Sequence, residues 1–266
     1  MQHNCKGGIK LTKENNKKGQ MTVWIIIAMV LVLAIVLFFL LRGEITPKVG
    51  EKIEENPKNY IASCVKKNVE EAVEIMLPQG GFVSPEHTKL YNDIKVAYLC
   101  YNSQYYDFCI SEHPVLLQEM EEEIHKYIEP RIEQCFQDYR SEQEKKDIGI
   151  SLGNMEIDIK LEQEIINVKI NREVRITEKG ENYKINNFDI DVRSPAYNLG
   201  RVAAEIESNE AESCDFDNAK YMTIYPRFKI SRIPMSDSTK IYTIEDKDMG
   251  KSMNVAIRGC ARPPGL

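Results

Sequence analysis

The sequence predicts an α+β protein in which a single N-terminal transmembrane helix precedes an extracytoplasmic domain with a helical half and an antiparallel β half. Residues Val23–Leu41 carry no charged side chain. Apolar residues then recur at helical spacing, whereas from about residue 148 they alternate with polar residues. We predict five segments: a basic tail or leader at 1–20, a membrane helix at 21–42, a stalk at 43–57, an α-rich subdomain at 58–145 and a β-rich subdomain at 146–266.

The membrane helix is predicted from its length and from the charge that precedes it. As a helix, Val23–Leu41 would be about 28 Å long, close to the hydrocarbon thickness of a bilayer. A removable secretory signal usually has only about 7–15 apolar residues. Residues 1–20 carry a net charge of +4, which places the amino terminus in the cytoplasm and the chain after Arg42 outside. We therefore expect a single-pass signal-anchor in the lipid bilayer of the cell membrane.

Two helices are predicted in the α-rich subdomain. The first covers residues 59–77 and is stopped by Pro78 and the two glycines that follow it. The second covers residues 113–139, and Pro130 should kink it. Each helix carries an apolar stripe. The stripes consist of Ile61, Val65, Val69, Ala72 and Met76, and of Leu117, Met120, Ile124, Ile128, Cys135 and Tyr139.

A tyrosine-rich segment, residues 91–109, lies between these helices. Tyrosine presents a large amphipathic surface, so the cluster fits either a binding platform or packing between the helices and a loop. The sequence leaves both readings open. The residues are Tyr91, Tyr98, Tyr101, Tyr105 and Tyr106.

The β-rich subdomain is predicted from alternation of period two. Strands are expected at residues 155–161, 165–176 and 182–192, with a turn near Gly180. Ser194 and Pro195 should open a short helix, because serine caps a helix start and proline is tolerated in its first turn. The remaining strands are expected at 221–230, 240–244 and 253–257.

Six of the seven cysteines follow the membrane segment, and Cys5 precedes it. An even number outside the cytoplasm favours disulfides, although six cysteines allow fifteen connectivities. Cys64 and Cys135 lie beside the two apolar stripes, so a bridge between them would staple the helices. Cys100 and Cys109 would close the tyrosine-rich loop. Cys214 and Cys260 are then left to pair by elimination.

Charge and motifs exclude several classes of function. The chain has a net charge of −6. Residues 1–42 carry +5, so the part after Arg42 has a net charge of −11, which disfavours binding to nucleic acid. No phosphate-binding loop, nucleophile elbow or zinc-protease motif occurs. We therefore predict no enzyme, no catalytic residue and no cofactor.

Two metal-site alternatives are disfavoured by spacing. Cys100, Cys109 and His113 offer zinc ligands with Cys135 as a fourth, but the first two are too far apart for a zinc knuckle. Glu122 and His125 have the Glu-x-x-His spacing of di-iron bundles, yet only one copy is present. We therefore predict no metal site.

The start of the chain resembles a known family. Lys18-Gly19-Gln20-Met21 directly before an uninterrupted apolar helix is similar to the class III signal of archaeal type IV pilins. The resemblance implies cleavage between Gly19 and Gln20 by a prepilin peptidase, after which the apolar helix would form a filament core. It departs from bacterial pilins at Trp24, where they carry glutamate, and in the early helix breakers Gly43 and Pro47.

The rest of the chain is similar to uncharacterised single-span archaeal surface proteins, which share a helix with an early cysteine that ends in Gln-Gly-Gly. This resemblance implies no activity. We expect a membrane-anchored extracytoplasmic structural or interaction protein, with a pilin-like surface subunit as one form of it. Its partners would then be further copies or other surface proteins. The alternative is an extracytoplasmic solute-binding domain or an enzyme of unknown reaction.

Overall fold

The computed structural model describes residues 25–33, 56–104 and 106–259. Residues 25–33 are helical and exposed. Among the described residues, no helix is both long enough and apolar enough to cross a membrane. The tail or leader at 1–20, most of the predicted membrane helix and the stalk up to residue 55 lie outside the described residues.

Two long helices carry the predicted apolar stripes. Helix α1 spans Pro57–Met76 and helix α2 spans Leu116–Glu144. The side chain of Asn56 caps α1 by accepting a hydrogen bond from the amide of Lys58 at 3.0 Å. All five predicted stripe residues of α1 are buried. In α2 the stripe begins at buried Leu116, and Leu117 is only partly buried. Helix α2 continues through Pro130.

A six-stranded sheet forms one layer of the domain. Its strands are β1 Thr88–Tyr91, β2 Ile94–Tyr101, β3 Ile110–Ser111, β7 Phe228–Pro234, β8 Thr239–Asp246 and β9 Lys251–Arg258. The strand order is β1-β2-β9-β8-β7, and the short strand β3 pairs with β2. Every pair is antiparallel except β2 with β9.

A second sheet is an antiparallel meander of three long strands. These are β4 Gly149–Glu162, β5 Ile165–Glu178 and β6 Glu181–Arg193. The inward face of β5 includes Ile166, Val168 and Ile170, which belong to the same core cluster as the stripes of α1 and α2. The alternation of apolar and polar residues therefore predicted this sheet.

One predicted strand is helical at its start. Residues 218–224 form helix α4, Asn218–Ile224, which follows helix α3, Ala196–Ser213. Asp217 caps α4 by accepting a hydrogen bond from the amide of Lys220 at 2.9 Å. A residue that precedes a proline rarely adopts helical backbone angles, so α4 ends at Ile224, before Tyr225 and Pro226. Strand β7 begins at Phe228. The prediction of a strand over 221–230 was wrong at its amino-terminal end because the cap favours a helix there.

Strand pairing crosses the predicted boundary at residue 145. Residues 88–111 come from the α-rich range but supply three strands of the large sheet, and β2 pairs directly with the C-terminal strand β9. The described residues 56–104 and 106–259 belong to one compact unit. The disulfide between Cys64 and Cys135 joins α1 to α2 with a Cα–Cα distance of 6.3 Å. Both helices and the three-stranded sheet thus share one core.

Candidate functional site

The loop after α1 is positioned by two glycines. A single 3₁₀ turn, Leu77–Gln79, is followed by Gly80 and Gly81 with φ of 89° and 96°, in the left-handed region. A Cβ added to Gly80 would lie 2.9 Å from the Cβ of Ala97 on β2. Only glycine therefore lets the loop lie directly on the sheet, and this contact directs the following residues, 82–87, across β2.

This loop forms one wall of a pocket of about 320 Å³, which we call the His–Glu pocket. That volume is at the small end of the range for small-molecule sites. The lining residues are Phe82, Ser84, Pro85, Glu86, His87, Ala97, Glu112, His113 and Glu123. The described lining contains three carboxylates and neither lysine nor arginine, so the pocket favours a positively charged group.

His87 is fixed by a carboxylate and by two aromatic rings. Its Nδ1 lies 2.9 Å from both carboxylate oxygens of Glu112. Its ring centroid is 4.8 Å from that of Tyr98 and 4.4 Å from that of Tyr101. A carboxylate at Nδ1 orients the imidazole and leaves Nε2 for other contacts.

His113 also lines the pocket and has a carboxylate partner of its own. Its Nδ1 hydrogen-bonds to Glu119 in the first turn of α2, and its ring centroid lies 4.4 Å from that of Phe82, with the two rings tilted by 42°. Beyond it lies Glu207 of α3, whose pKa is raised by burial, an effect that Ser111 and His113 partly offset. Buried Glu207 therefore favours its protonated form more than a solvated glutamate does.

The loop is held against α2 by one further carboxylate. Glu123 accepts a hydrogen bond from the backbone amide of Val83 at 3.1 Å. Together with the two histidine pairs, this bond connects the loop, β3 and α2 around one opening.

Some tyrosines of the cluster are packed in the structure, and another is exposed to solvent. Tyr98 is buried, and its hydroxyl lies 3.0 Å from that of Thr239. The guanidinium of Arg258 donates to the hydroxyl of Tyr101 at 2.8 Å. Burial raises the pKa of Tyr98. Tyr106 is exposed, and Tyr105 lies outside the described residues. Tyr98 and Tyr101 therefore serve packing, on the face of the large sheet that carries Val96, Ile241 and Ala256.

Beside the pocket, Cys100 and Cys109 close a loop, residues 100–109, that we call the disulfide loop. Their Cα atoms lie 5.4 Å apart. The side chain of Asn102 donates to the carbonyl of Phe108 at 2.8 Å and braces the loop. Phe108 is 58% exposed and Ile110 is 72% exposed. Two large apolar side chains thus project into solvent next to the pocket, Phe108 from within the closed loop and Ile110 from β3, directly after it.

The structure contains two of the preferred cysteine pairs, Cys64–Cys135 and Cys100–Cys109. Cys214 is also disulfide-bonded, whereas Cys260 lies outside the described residues. Disulfide bonding removes the thiolates that the zinc alternative required, and no group of three metal-ligating side chains occurs in the described part of the chain. The processing residues Gly19 and Gln20, and Cys5, also lie outside the described residues.

The histidine pairs were not predicted from the sequence. His87 and Glu112 are 25 residues apart, and the pairing depends on the loop folding back over β2. For His113 and Glu119 there was a local signal, because a histidine just before a helix faces the carboxylates of its first turn. The third histidine, His125, lies on the exposed side of α2, 3.9 Å from Glu129.

The two histidines of the pocket pair with carboxylates in the described structure. Ser84 lines the pocket, but in the described structure it forms no hydrogen bond to either histidine. A serine nucleophile needs such a contact to an adjacent base. The two carboxylate–histidine pairs instead present oriented polar groups around a small opening.

Comparisons of the chain with family models, with curated proteins and with solved structures find no match.

Proposed function

We propose that the chain is a membrane-anchored extracytoplasmic interaction protein that binds a protein partner through the disulfide loop and the adjacent His–Glu pocket. The anchor is the uncharged run Val23–Leu41, with the basic tail on the cytoplasmic side. The domain after the stalk faces outward. The complementary surface of the partner would place an apolar segment on the loop and a lysine or arginine in the pocket.

The disulfides support the extracytoplasmic location. Disulfide bonds persist in oxidising compartments and are rare in the reducing cytoplasm. Two complete bridges join described residues, and three of their four cysteines, Cys100, Cys109 and Cys135, are buried in the core.

The single observation that carries the interaction role is the exposure of Phe108 and Ile110. Large apolar side chains that project beside a charged pocket are typical of protein-binding surfaces, which combine an apolar centre with a polar rim. The bridge between Cys100 and Cys109 restrains the loop that carries Phe108, and the pairing of β3 with β2 holds Ile110, so less entropy is lost on binding.

Self-assembly is one form of this proposal. If the chain is cut between Gly19 and Gln20, the apolar helix is free to join a filament and the partner is a second copy. Amino-terminal sequencing of the protein from its native membrane separates the two forms. A chain that begins at Gln20 supports the pilin-like subunit, and a chain that retains residues 1–19 supports a permanent anchor.

Site-specific photo-crosslinking tests the proposed surface. A photoreactive amino acid is placed at position 110 of the full-length chain in native membranes, and a matched chain carries it at position 224. Ile224 is also an exposed isoleucine, but it lies on α4. We expect an adduct of defined mass from position 110 only, and its mass distinguishes a second copy from another protein. No adduct at position 110, or equal yields at the two positions, would contradict the proposal.

A further inference from the structure

A second cavity lies where the chain enters the domain. It has a volume of about 740 Å³ and lies between the last turn of α2, the hairpin end of β5 and β6, and Pro57 at the start of α1. We call it the entry cavity. The His–Glu pocket follows the opposite end of α1, and a helix of this length spans about 30 Å. The two sites are therefore separate.

The walls of the entry cavity are mainly apolar. Ile148, Ile176 and Ile185 line it and pack against the main core. Tyr139 is buried at its base, and burial raises the pKa of this tyrosine to about 12. A concave apolar surface that is continuous with the core is the usual form of a small-molecule site.

One polar group in the lining lacks a partner. Gln143 is only 5% exposed, and its side-chain Nε2 forms no hydrogen bond to any described residue. Buried amide donors are nearly always paired, because leaving one unpaired is unfavourable. The entry cavity thus combines an apolar wall with a buried donor that a ligand acceptor would satisfy.

The described lining carries more positive than negative side chains. Lys146 and Lys184 contribute two positive charges, and Glu178 contributes one negative charge. Lys184 also forms an ion pair with Glu173 on β5, outside the lining. The described lining residues therefore carry a formal charge of +1, in contrast to the carboxylate-rich His–Glu pocket.

From these observations we propose that the entry cavity binds an aliphatic carboxylate, with the chain against the three isoleucines and the carboxylate accepting a hydrogen bond from Gln143 Nε2. This site is distinct from the proposed protein-binding surface, and neither proposal depends on the other.

The test uses the full-length chain in phosphatidylcholine nanodiscs with ¹³C-labelled isoleucine methyl groups. Decanoate is titrated, with decanol and decyltrimethylammonium as matched probes of the same chain length. We expect saturable shifts of Ile148, Ile176 and Ile185 with decanoate, weaker shifts with decanol and none with the cation. Ile233 is a control on the edge strand β7. Shifts that do not saturate, or that are equal for decanoate and decanol, would overturn the proposal.

Two leucine variants isolate the role of the amide. Gln143→Leu keeps the size of the side chain and removes the donor, so decanoate should bind about tenfold or more weakly, since a hydrogen bond to a charged group is lost. Decanol binding should not weaken. Gln134→Leu makes the same change at an exposed position of α2 and should leave both affinities unchanged.

If Gln143→Leu does not fold, Ile176→Ser provides a second variant, which disrupts the apolar wall of the cavity. Unchanged decanoate affinity in the folded Gln143→Leu protein, or in Ile176→Ser where the first does not fold, would overturn the assignment.

Discussion

The two described disulfides both belong to the common core but close loops of very different size. Cys64–Cys135 joins residues 71 apart and links α1 to α2, with Cys135 buried and Cys64 partly buried. Cys100–Cys109 joins residues nine apart, and both cysteines are buried, although the side chains of Phe108 and Ile110 beside Cys109 face solvent. The long loop makes the first bridge the larger restraint on the unfolded chain. The short bridge restrains a segment that is exposed, and we propose that this segment serves recognition.

The largest expected effect is the loss of the core bridge. Replacing Cys64 and Cys135 by alanine should lower the free energy of unfolding by about 4 kcal/mol, because the unfolded chain regains the freedom of a long loop. Pulse proteolysis of the full-length protein in urea measures this change. A loss smaller than that caused by opening the short bridge would contradict the assigned roles.

Opening the short bridge should have a smaller effect on stability and a larger one on recognition. Alanine at Cys100 and Cys109 frees a loop of about ten residues, for which loop-closure entropy gives about 3 kcal/mol or less. The photo-adduct at position 110 should nevertheless disappear under conditions in which the domain remains folded. If the adduct persists at full yield, the bridge does not shape the binding surface.

The contributions of Glu133 and Glu207 to the free energy of unfolding should depend on pH in opposite directions. Hydrogen bonds from Arg172 lower the pKa of Glu133, so its contribution is present above its unfolded pKa and lost as pH falls through the folded pKa. Burial raises the pKa of Glu207, so its ionisation opposes folding and stability falls as pH rises from its unfolded pKa towards its folded pKa.

Glutamine variants separate these two effects. Between pH 4 and pH 7, the stability of the native protein relative to Glu133→Gln should increase, and its stability relative to Glu207→Gln should decrease. Urea unfolding at three pH values measures both differences. A change of the same sign for the two variants would show that burial does not dominate at Glu207.

The smallest expected effect on stability comes from the exposed apolar side chains. Phe108→Ser with Ile110→Thr should change the free energy of unfolding by no more than about 0.5 kcal/mol, since surface substitutions rarely exceed this value. Binding of the partner should be lost. Ile224→Thr is the matched control and should bind normally, so equal loss in both variants would contradict the assigned surface.

The helices and the three-stranded sheet were predicted because the spacing of apolar residues within each segment indicates its secondary structure. The stripe of α1, from Ile61 to Met76, shows which face is buried without any knowledge of the partner. The parallel pairing of β2 with β9 joins segments more than 150 residues apart, for which no short motif exists. Asp217 explains the missed helix α4, since one capping residue outweighed the strand-like composition of residues 221–224.

The candidate site was predicted only in part for the same reason. The cysteine pairs follow from which elements carry them, and the described structure contains two of them. The contact between His87 and Glu112 requires the turn made by Gly80 and Gly81, which the sequence analysis treated only as the end of a helix. Recognition of the unpaired amide of Gln143 requires the packed structure, because burial and hydrogen bonding are not visible in the sequence.

The proposal that the folded domain lies outside the membrane is tested most directly by labelling in intact cells. Lys126→Cys introduces a thiol at an exposed position of α2, and a membrane-impermeant maleimide is added before and after permeabilisation. We expect Lys126→Cys to be labelled in intact cells, whereas Cys5, if residues 1–19 are retained, should be labelled only after permeabilisation. Labelling of Lys126→Cys only after permeabilisation would place the domain in the cytoplasm and contradict the proposed function.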